Sequence, residues 1–477
     1  MKLIPIYTWT KGLHNMHRGQ VNFMRQPWAG GGLLLVCVII AMLLANLPFT
    51  KDLYHQFLET SLSASIQSPI DPDTGTRAID WVFPRGLSVE TFINDILMVV
   101  FFFTVGLEIK REVVCGELSS VKKAMMPVIA AAGGMAVPAL IYTIINHGTH
   151  GASGWGIPTA TDIAFAVGIM SILGDRVPVS LKVFLTALAI ADDLGAILVV
   201  ALFYGGHIDF MLLAIALLLI AFILIMNHLG EKRAAFYLIP AIAVWFLFYY
   251  SGVHATMSGV VMAFLIPMEP RYSHSYLDHR IDRYQRQMNM LDSFESDEEP
   301  FPNESQRHCL RRISAISYGS MGMSYQLEHA LAPWVNFGIM PIFALANAGV
   351  EIPDLAYFNI FQYNPELGSV GMGVFFGLLL GKPIGITLAS WIAVKLKAGE
   401  MPSRASWHML FAVACLGGIG FTMSIFVDTL SFGDVPADVM EHMRSLGKIA
   451  VLMGSLSAGI LGSVLINIFH KIDVRHC

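Results

Sequence analysis

Apolar runs about as long as a bilayer is thick recur along this chain of 477 residues, with polar connections between them. A helix needs roughly 20 apolar residues to cross the hydrocarbon core. In lipid, only helices and closed barrels satisfy their own backbone groups. Such runs fall at about 31–49, 89–113, 124–146, 152–173, 179–204, 209–228, 234–249, 252–267, 324–348, 369–394, 406–428 and 445–470. They predict an all-α polytopic membrane protein with twelve transmembrane helices. Only 14% of the residues are charged, where soluble chains carry about a quarter. One transmembrane domain is expected over 31–477, after a cytoplasmic N-terminal extension at 1–30, with no separate enzymatic domain. The five cysteines have no CxxC spacing, so neither a disulfide framework nor a zinc site is expected.

The basic residues set the orientation. They cluster at the N-terminus and at Lys110 to Lys123, Arg176/Lys182, Lys232/Arg233, Arg271 to Arg312, Lys395 to Arg404, and Lys471/Arg475, which are alternate loops. The segments 147–156, 205–209 and 350–368 between them have no Lys or Arg. Both termini are therefore expected in the cytoplasm. Lys51, Arg77 and Arg85 in the first external loop are exceptions, as are Arg444 and Lys448 near the start of the last span. That first loop, 50–88, carries turn chemistry at Asp71-Pro72-Asp73 and Gly75. The segment 268–322, with seven arginines and the acidic run Asp297-Glu298-Glu299, reads as an extended, flexible cytoplasmic loop, or as a place for regulation or partner binding.

Against this apolar background the polar residues at mid-membrane are conspicuous. Asp192 and Asp193 lie midway along LTALAIADDLGAILVVALF. Ionisable residues at that depth cost a few kcal/mol or more and mark functional sites by default. Adjacent helical residues point about 100° apart. One carboxylate is thus expected to line an ion site while the other meets a neighbouring helix or a counter-charge. A buried, hydrogen-bonded packing pair is the structural alternative.

Asp162 falls midway along GWGIPTATDIAFAVGIM, after Gly154, Gly156 and Pro158 and beside Thr159 and Thr161. Unwound backbone at this depth is tolerated where it lines a cavity or is buried in protein. Freed carbonyls and Thr hydroxyls suit a small hard cation. A Pro-kinked helix with a satisfied Asp is the other reading. A second interruption, LGGIGFTMSIFV, puts Gly417, Gly418 and Gly420 at the middle of the eleventh span. Two interrupted spans in corresponding positions point to a transporter built of inverted repeats, here spans three to five and ten to twelve. A glycine-rich packing face would also explain the second.

Lys382, in GLLLGKPIGITLA, lies about 13 residues from either end of its span and is too deep to snorkel. Its expected role is to offset the acids, and a purely structural ion pair is compatible with that. Glu108, His254, Asn94-Asp95 and Glu328-His329 all lie near expected span ends, where solvated helix-end polar groups are the plain explanation. The reading is competition at one site: a cation and protons bind the aspartates in turn.

Several stretches resemble those of the NhaA-type sodium/proton antiporters. They are NDILMVVFFFTVGLEIKRE, PVIAAAGGMAVPALIY, IPTATDIAFAVGIMSILGDRVP, LTALAIADDLGAILVVALFY, SGVHATMSGV, GIMPIFALANAGV, GKPIGI and GGIGFTMSIF, in family order from about 89 to 428. The resemblance implies interrupted, crossed fourth and eleventh helices and electrogenic export of Na+ or Li+ against H+ entry, serving pH and sodium homeostasis. By matching motif, Asp193 and Asp192 are the implied ion-binding pair, Asp193 as principal ligand and Asp192 as partner of Lys382. Asp162 and Thr161 belong to the interrupted fourth helix, and Lys382 compensates charge in the tenth. Glu108, Glu328 and His254 match positions tied to pH response. The resemblance also implies a bacterial inner membrane protein, surrounded by lipid and homodimeric through the first polar loop. No cofactor is expected beside the transported ions, and no nucleic acid or organic substrate. The insert at 268–322 and the longer N-terminus depart from the family pattern.

A sodium-coupled solute symporter or a cation channel is the alternative function, although no filter loop is visible. An intramembrane aspartyl protease needs two acids from different helices sharing a proton. Gly174-Asp175 resembles half of such a site, but no partner element appears.

Overall fold

The computed structural model describes Gln26 and residues 28–476, apart from 62–63, 68–79, 84–87, 206–207, 271, 273, 293–303, 353–358, 404 and 434. Most of the N-terminal extension, the turn at Asp71 to Gly75, Arg77, Arg85 and the acidic run at Asp297 lie outside the described residues.

Among the described residues, eight helices and two bent pairs are long and apolar enough to cross a membrane, and with two shorter apolar helices, Ala235–Ser251 and Thr256–Leu265, they fill the twelve expected places in order. They are α1 (Ala29–Asn46), α3 (Val89–Val114), α4 (Val121–Ile145), a broken fourth, α6 (Val179–Phe203), α7 (Phe210–His228), α8 (Ala235–Ser251), α9 (Thr256–Leu265), α12 (Met323–Asn347), α13 (Val370–Lys395), a broken eleventh and α16 (Ala437–His476). The short α2 (Lys51–Glu59) follows the first span, and α10 (His274–Asp292) and α11 (Glu304–Gly319) follow the eighth. The fourth span joins a 3-10 segment, His150–Thr159, to α5 (Ile163–Leu173), with a bend of 41°. The eleventh joins α14 (Trp407–Leu416) to α15 (Phe421–Leu430), with a bend of 51°. The protein is thus a multi-pass membrane protein whose spans are all helical.

Spans three to five and ten to twelve share the order whole, broken, whole. Seven steps separate the third from the tenth, so the two triplets cross the membrane in opposite directions. That is the expected inverted repeat.

The chain forms two compact units. The first comprises residues 1–98, 112–206 and 335–477, and the second 99–111 and 207–334. In the first unit, Leu181, Leu185 and Leu188 of α6 pack with Leu410, Val413 and Leu416 of α14 and Ile386 of α13. α4 and α13 touch backbone to backbone: a Cβ placed on Gly385 would lie 2.2 Å from the Gly133 carbonyl oxygen. Small residues let membrane helices approach this closely and gain dispersion contact, because lipid leaves no hydrophobic drive between them.

In the second unit, Phe103 and Leu107 of α3 pack with Val244 and Phe248 of α8, and with Met262 and Ala263 of α9. α7 buries only Ala216 and Ile223, while Leu217 and Leu218 are exposed. An apolar helix with such a bare surface belongs against lipid.

Several details add to or differ from expectation. The first polar loop carries α2 and an antiparallel hairpin, Ala64–Gln67 with Asp80–Phe83. Lys51, a topological exception, is ion-paired with Glu351. The segment 268–322, expected as a flexible loop, is largely helical: α10 and α11 pack together, and Cys309 and Ile316 of α11 are buried seven residues apart on one face. The last helix begins at Ala437, not 445, which places Arg444 and Lys448 inside it. The eighth span is a helix of only 10 residues, about 15 Å long, with His254 in the break before it.

Candidate ion site

The two breaks meet. Asp162 N donates to the Ile419 carbonyl at 2.6 Å, and Thr161 Oγ1 donates to the Gly417 carbonyl at 2.8 Å. Pro158 has no N–H to continue a helix, and Gly417, Gly418 and Gly420 leave room for close backbone contact. A Cβ on Gly420 would lie 2.8 Å from the Ala160 carbonyl oxygen.

Asp162 is the N-cap of α5, accepting from Phe165 N at 3.3 Å. Its other oxygen accepts from Thr422 N at 3.2 Å and from the Thr422 hydroxyl. Thr422 is in the first turn of α15. One carboxylate therefore sits on the N-termini of two half-helices, where the partial positive charge of each favours an anion. The carboxylate is almost wholly buried, at 2% exposure. Thr422 was not anticipated. Its place after the glycine break was visible, but not which acid it would reach.

Lys382 follows a π turn, Gly377–Gly381, and precedes Pro383. Such single-turn bulges are frequent at functional sites. Its side chain is fully buried; Nζ lies 2.5 Å from Asp192 Oδ2 and 2.9 Å from Thr161 Oγ1. A buried charge needs a partner of good geometry, and Lys382 and Asp192 supply this to each other. Asp192 Oδ1 has no hydrogen-bond partner among the described residues. Asp193, the next residue on α6, is buried and within electrostatic reach of Lys382. Four side chains from α6, α13 and the fourth span, namely Asp192, Asp193, Thr161 and Lys382, thus surround the crossing of the two breaks, with Asp162 adjoining.

The candidates for pH response, Glu108, Glu328 and His254, lie in the second unit. Arg111 Nη1 is 3.1 Å from Glu328 Oε1, and Arg111 Nη2 is 4.0 Å from Glu108 Oε1. One guanidinium therefore brings Glu108 and Glu328 together. His254 stands apart from them, its carbonyl accepting from Met257 N at 3.0 Å at the start of α9.

The model of the Na+/H+ antiporter 1 family matches residues 21–466. The chain belongs to that family. Similar curated proteins include the Na+/H+ antiporter NhaA of Oleidesulfovibrio alaskensis, 40% identical over 92% of this chain and 91% of that one. That of Acidithiobacillus ferrooxidans is 40% identical over 92% and 95%. That of Escherichia coli O1:K1 / APEC is 36% identical over 94% and 97%.

Proposed function

We propose that this family member is an electrogenic antiporter that exports Na+ or Li+ in exchange for H+ entry, and so serves pH and sodium homeostasis. The observation that carries the reading is the fully buried Lys382 at 2.5 Å from Asp192, beside Asp193 and the crossed breaks. Carboxylates gathered in lipid are stable only when neutralised, by the lysine, by protons or by a bound cation. That exclusivity is what exchange at one site requires.

In the proposed cycle a sodium ion from the cytoplasm displaces protons and binds Asp193, with Thr161 and the freed carbonyls of the breaks as further oxygen donors. Asp192 answers the charge of Lys382, and Asp162 holds the two half-helix N-termini. The assembly shifts about the breaks, sodium leaves outside, and protons return the site inward. If two carboxylates take up two protons where one sodium suffices, more charge enters than leaves, and the membrane potential helps to drive export. Na+, Li+ and H+ are the cargo.

The bacterial relatives support an inner membrane location, and the basic loops support an orientation with both termini in the cytoplasm. The hairpin Ala64–Gln67 and Asp80–Phe83, in the first polar loop, is the proposed homodimer contact. The Glu108–Arg111–Glu328 group and His254 are the proposed pH-responsive elements. The test is a sodium titration of proton release from the purified protein at several pH values. Sodium-dependent release whose half-saturating sodium concentration rises as pH falls supports the reading, and release independent of sodium contradicts it.

A further inference from the structure

Asp428, near the end of α15, has no exposed surface, and neither of its oxygens accepts a hydrogen bond among the described residues. The charged and titratable groups that face it come from several elements. Lys448 and Arg444 lie on α16, Tyr142 is on α4, and Tyr204 follows α6, while Glu441 of α16 and Glu90, which opens α3, act on Lys448. Most of these are engaged elsewhere. The Tyr142 hydroxyl donates to the Gly151 carbonyl at 2.7 Å, the Tyr204 hydroxyl to that of Ser153 at 2.8 Å, and Arg444 to that of Ser431 at 3.1 Å. α16 leaves room for the carboxylate itself: a Cβ on Gly447 would fall 2.1 Å from Asp428 Oδ1.

A neutral carboxyl left without partners is costly, and a buried charge left alone costs more. The carboxylate is therefore retained in one of two arrangements. In one it holds a proton. In the other it is ionised and a cation must move to it, and Lys448, next to Gly447 on a flexible stem, is the group able to do so. The two arrangements differ by one proton and by the position of one ammonium.

We propose that Asp428 is a second proton-binding site, distinct from the central cluster, that exchanges one proton with water on the side of the membrane where α15 ends. It takes the proton from bulk water and returns it there, and Lys448 holds the ionised form. Asp428 and Thr422 lie on one helix, six residues apart, so about 9 Å separates them. The proton at Asp428 is thus read at Asp162 through a single rigid half-helix. The same group accounts for Arg444 and Lys448, the exceptions to the charge pattern of the loops. The coupling to transport rests on the antiport reading, whereas the proton site itself does not.

The test uses Asp428→Asn, which keeps the shape, and the pair Asp428→Ala with Gly447→Ala, which refills the space. In oriented vesicles at saturating sodium, pH is varied only on the side where α15 ends. Wild type is expected to show a transport inflection that both variants lose while apparent sodium affinity stays unchanged. Infrared difference spectra between acid and alkaline states should lose one carboxylic acid band in Asp428→Asn. If both variants retain the wild-type inflection and Asp428→Asn keeps every carboxyl band, the proposal is overturned. If wild type moves no protons with sodium yet Asp428→Asn loses the band, the antiport reading fails and the proton site stands.

Discussion

Lys382 Nζ lies 2.5 Å from Asp192 Oδ2, and neither side chain has any exposed surface. Removing one member leaves the other charge alone in a medium that solvates it poorly, at a cost of about 3–5 kcal/mol. Lys382→Leu should therefore lower the thermal unfolding midpoint in detergent, and adding Asp192→Asn should recover much of the loss. Equal midpoints for wild type and Lys382→Leu would show that the pair carries no such charge.

Thr422 secures Asp162 through both its backbone and its hydroxyl. A hydrogen bond to a charged group contributes about 1.5–3 kcal/mol. With Thr422→Val, apparent KM for sodium should rise by about tenfold, the equivalent of about 1.4 kcal/mol. Thr422→Ser keeps the hydroxyl and should remain close to wild type. Proton movement measured against sodium concentration separates the two variants.

Gly385 faces the Gly133 carbonyl at a distance that admits no side chain. Gly385→Ala must push α13 from α4, and overpacking of this kind costs about 1–3 kcal/mol. It should lower the unfolding midpoint and slow transport, since Lys382 rides on the same helix. Gly338→Ala, with nothing within 4 Å of the added carbon, should change neither.

Arg111 and Glu328 form an ion pair in the second unit, at 3.1 Å, with Glu328 7% exposed. A double-mutant cycle with Arg111→Gln and Glu328→Gln should give a coupling energy of about 0.5–3 kcal/mol in unfolding. If the pair serves pH response, Glu328→Gln should also displace the pH profile of transport while maximal rate is kept. Additive effects in the cycle would show that the two side chains do not act on each other.

Much of this was legible in the sequence because lipid is a demanding solvent. Every backbone group in it must be satisfied within the chain, so apolar length alone located the spans, and Gly and Pro located the breaks. The depth of Asp162, Asp192, Asp193 and Lys382 marked them without knowledge of the fold. Other features depend on how helices face one another, which residue spacing does not record. Thr422 reaches Asp162 across 260 residues of sequence. Asp428 closes the expected eleventh span, and Arg444 and Lys448 stand near the start of the expected last one; their common location exists only once α15 and α16 pack. α10 and α11 were missed because their many charges mask the apolar face that carries Cys309 and Ile316.

The most direct test of the account is sodium-driven proton movement by Asp193→Asn. Everted vesicles that hold a pH gradient, containing either wild type or this variant at equal expression, are challenged with sodium or lithium over a broad pH range. Wild type should dissipate the gradient and Asp193→Asn should not, at any pH. A full response from the variant, or none from wild type, would contradict exchange at the aspartate site.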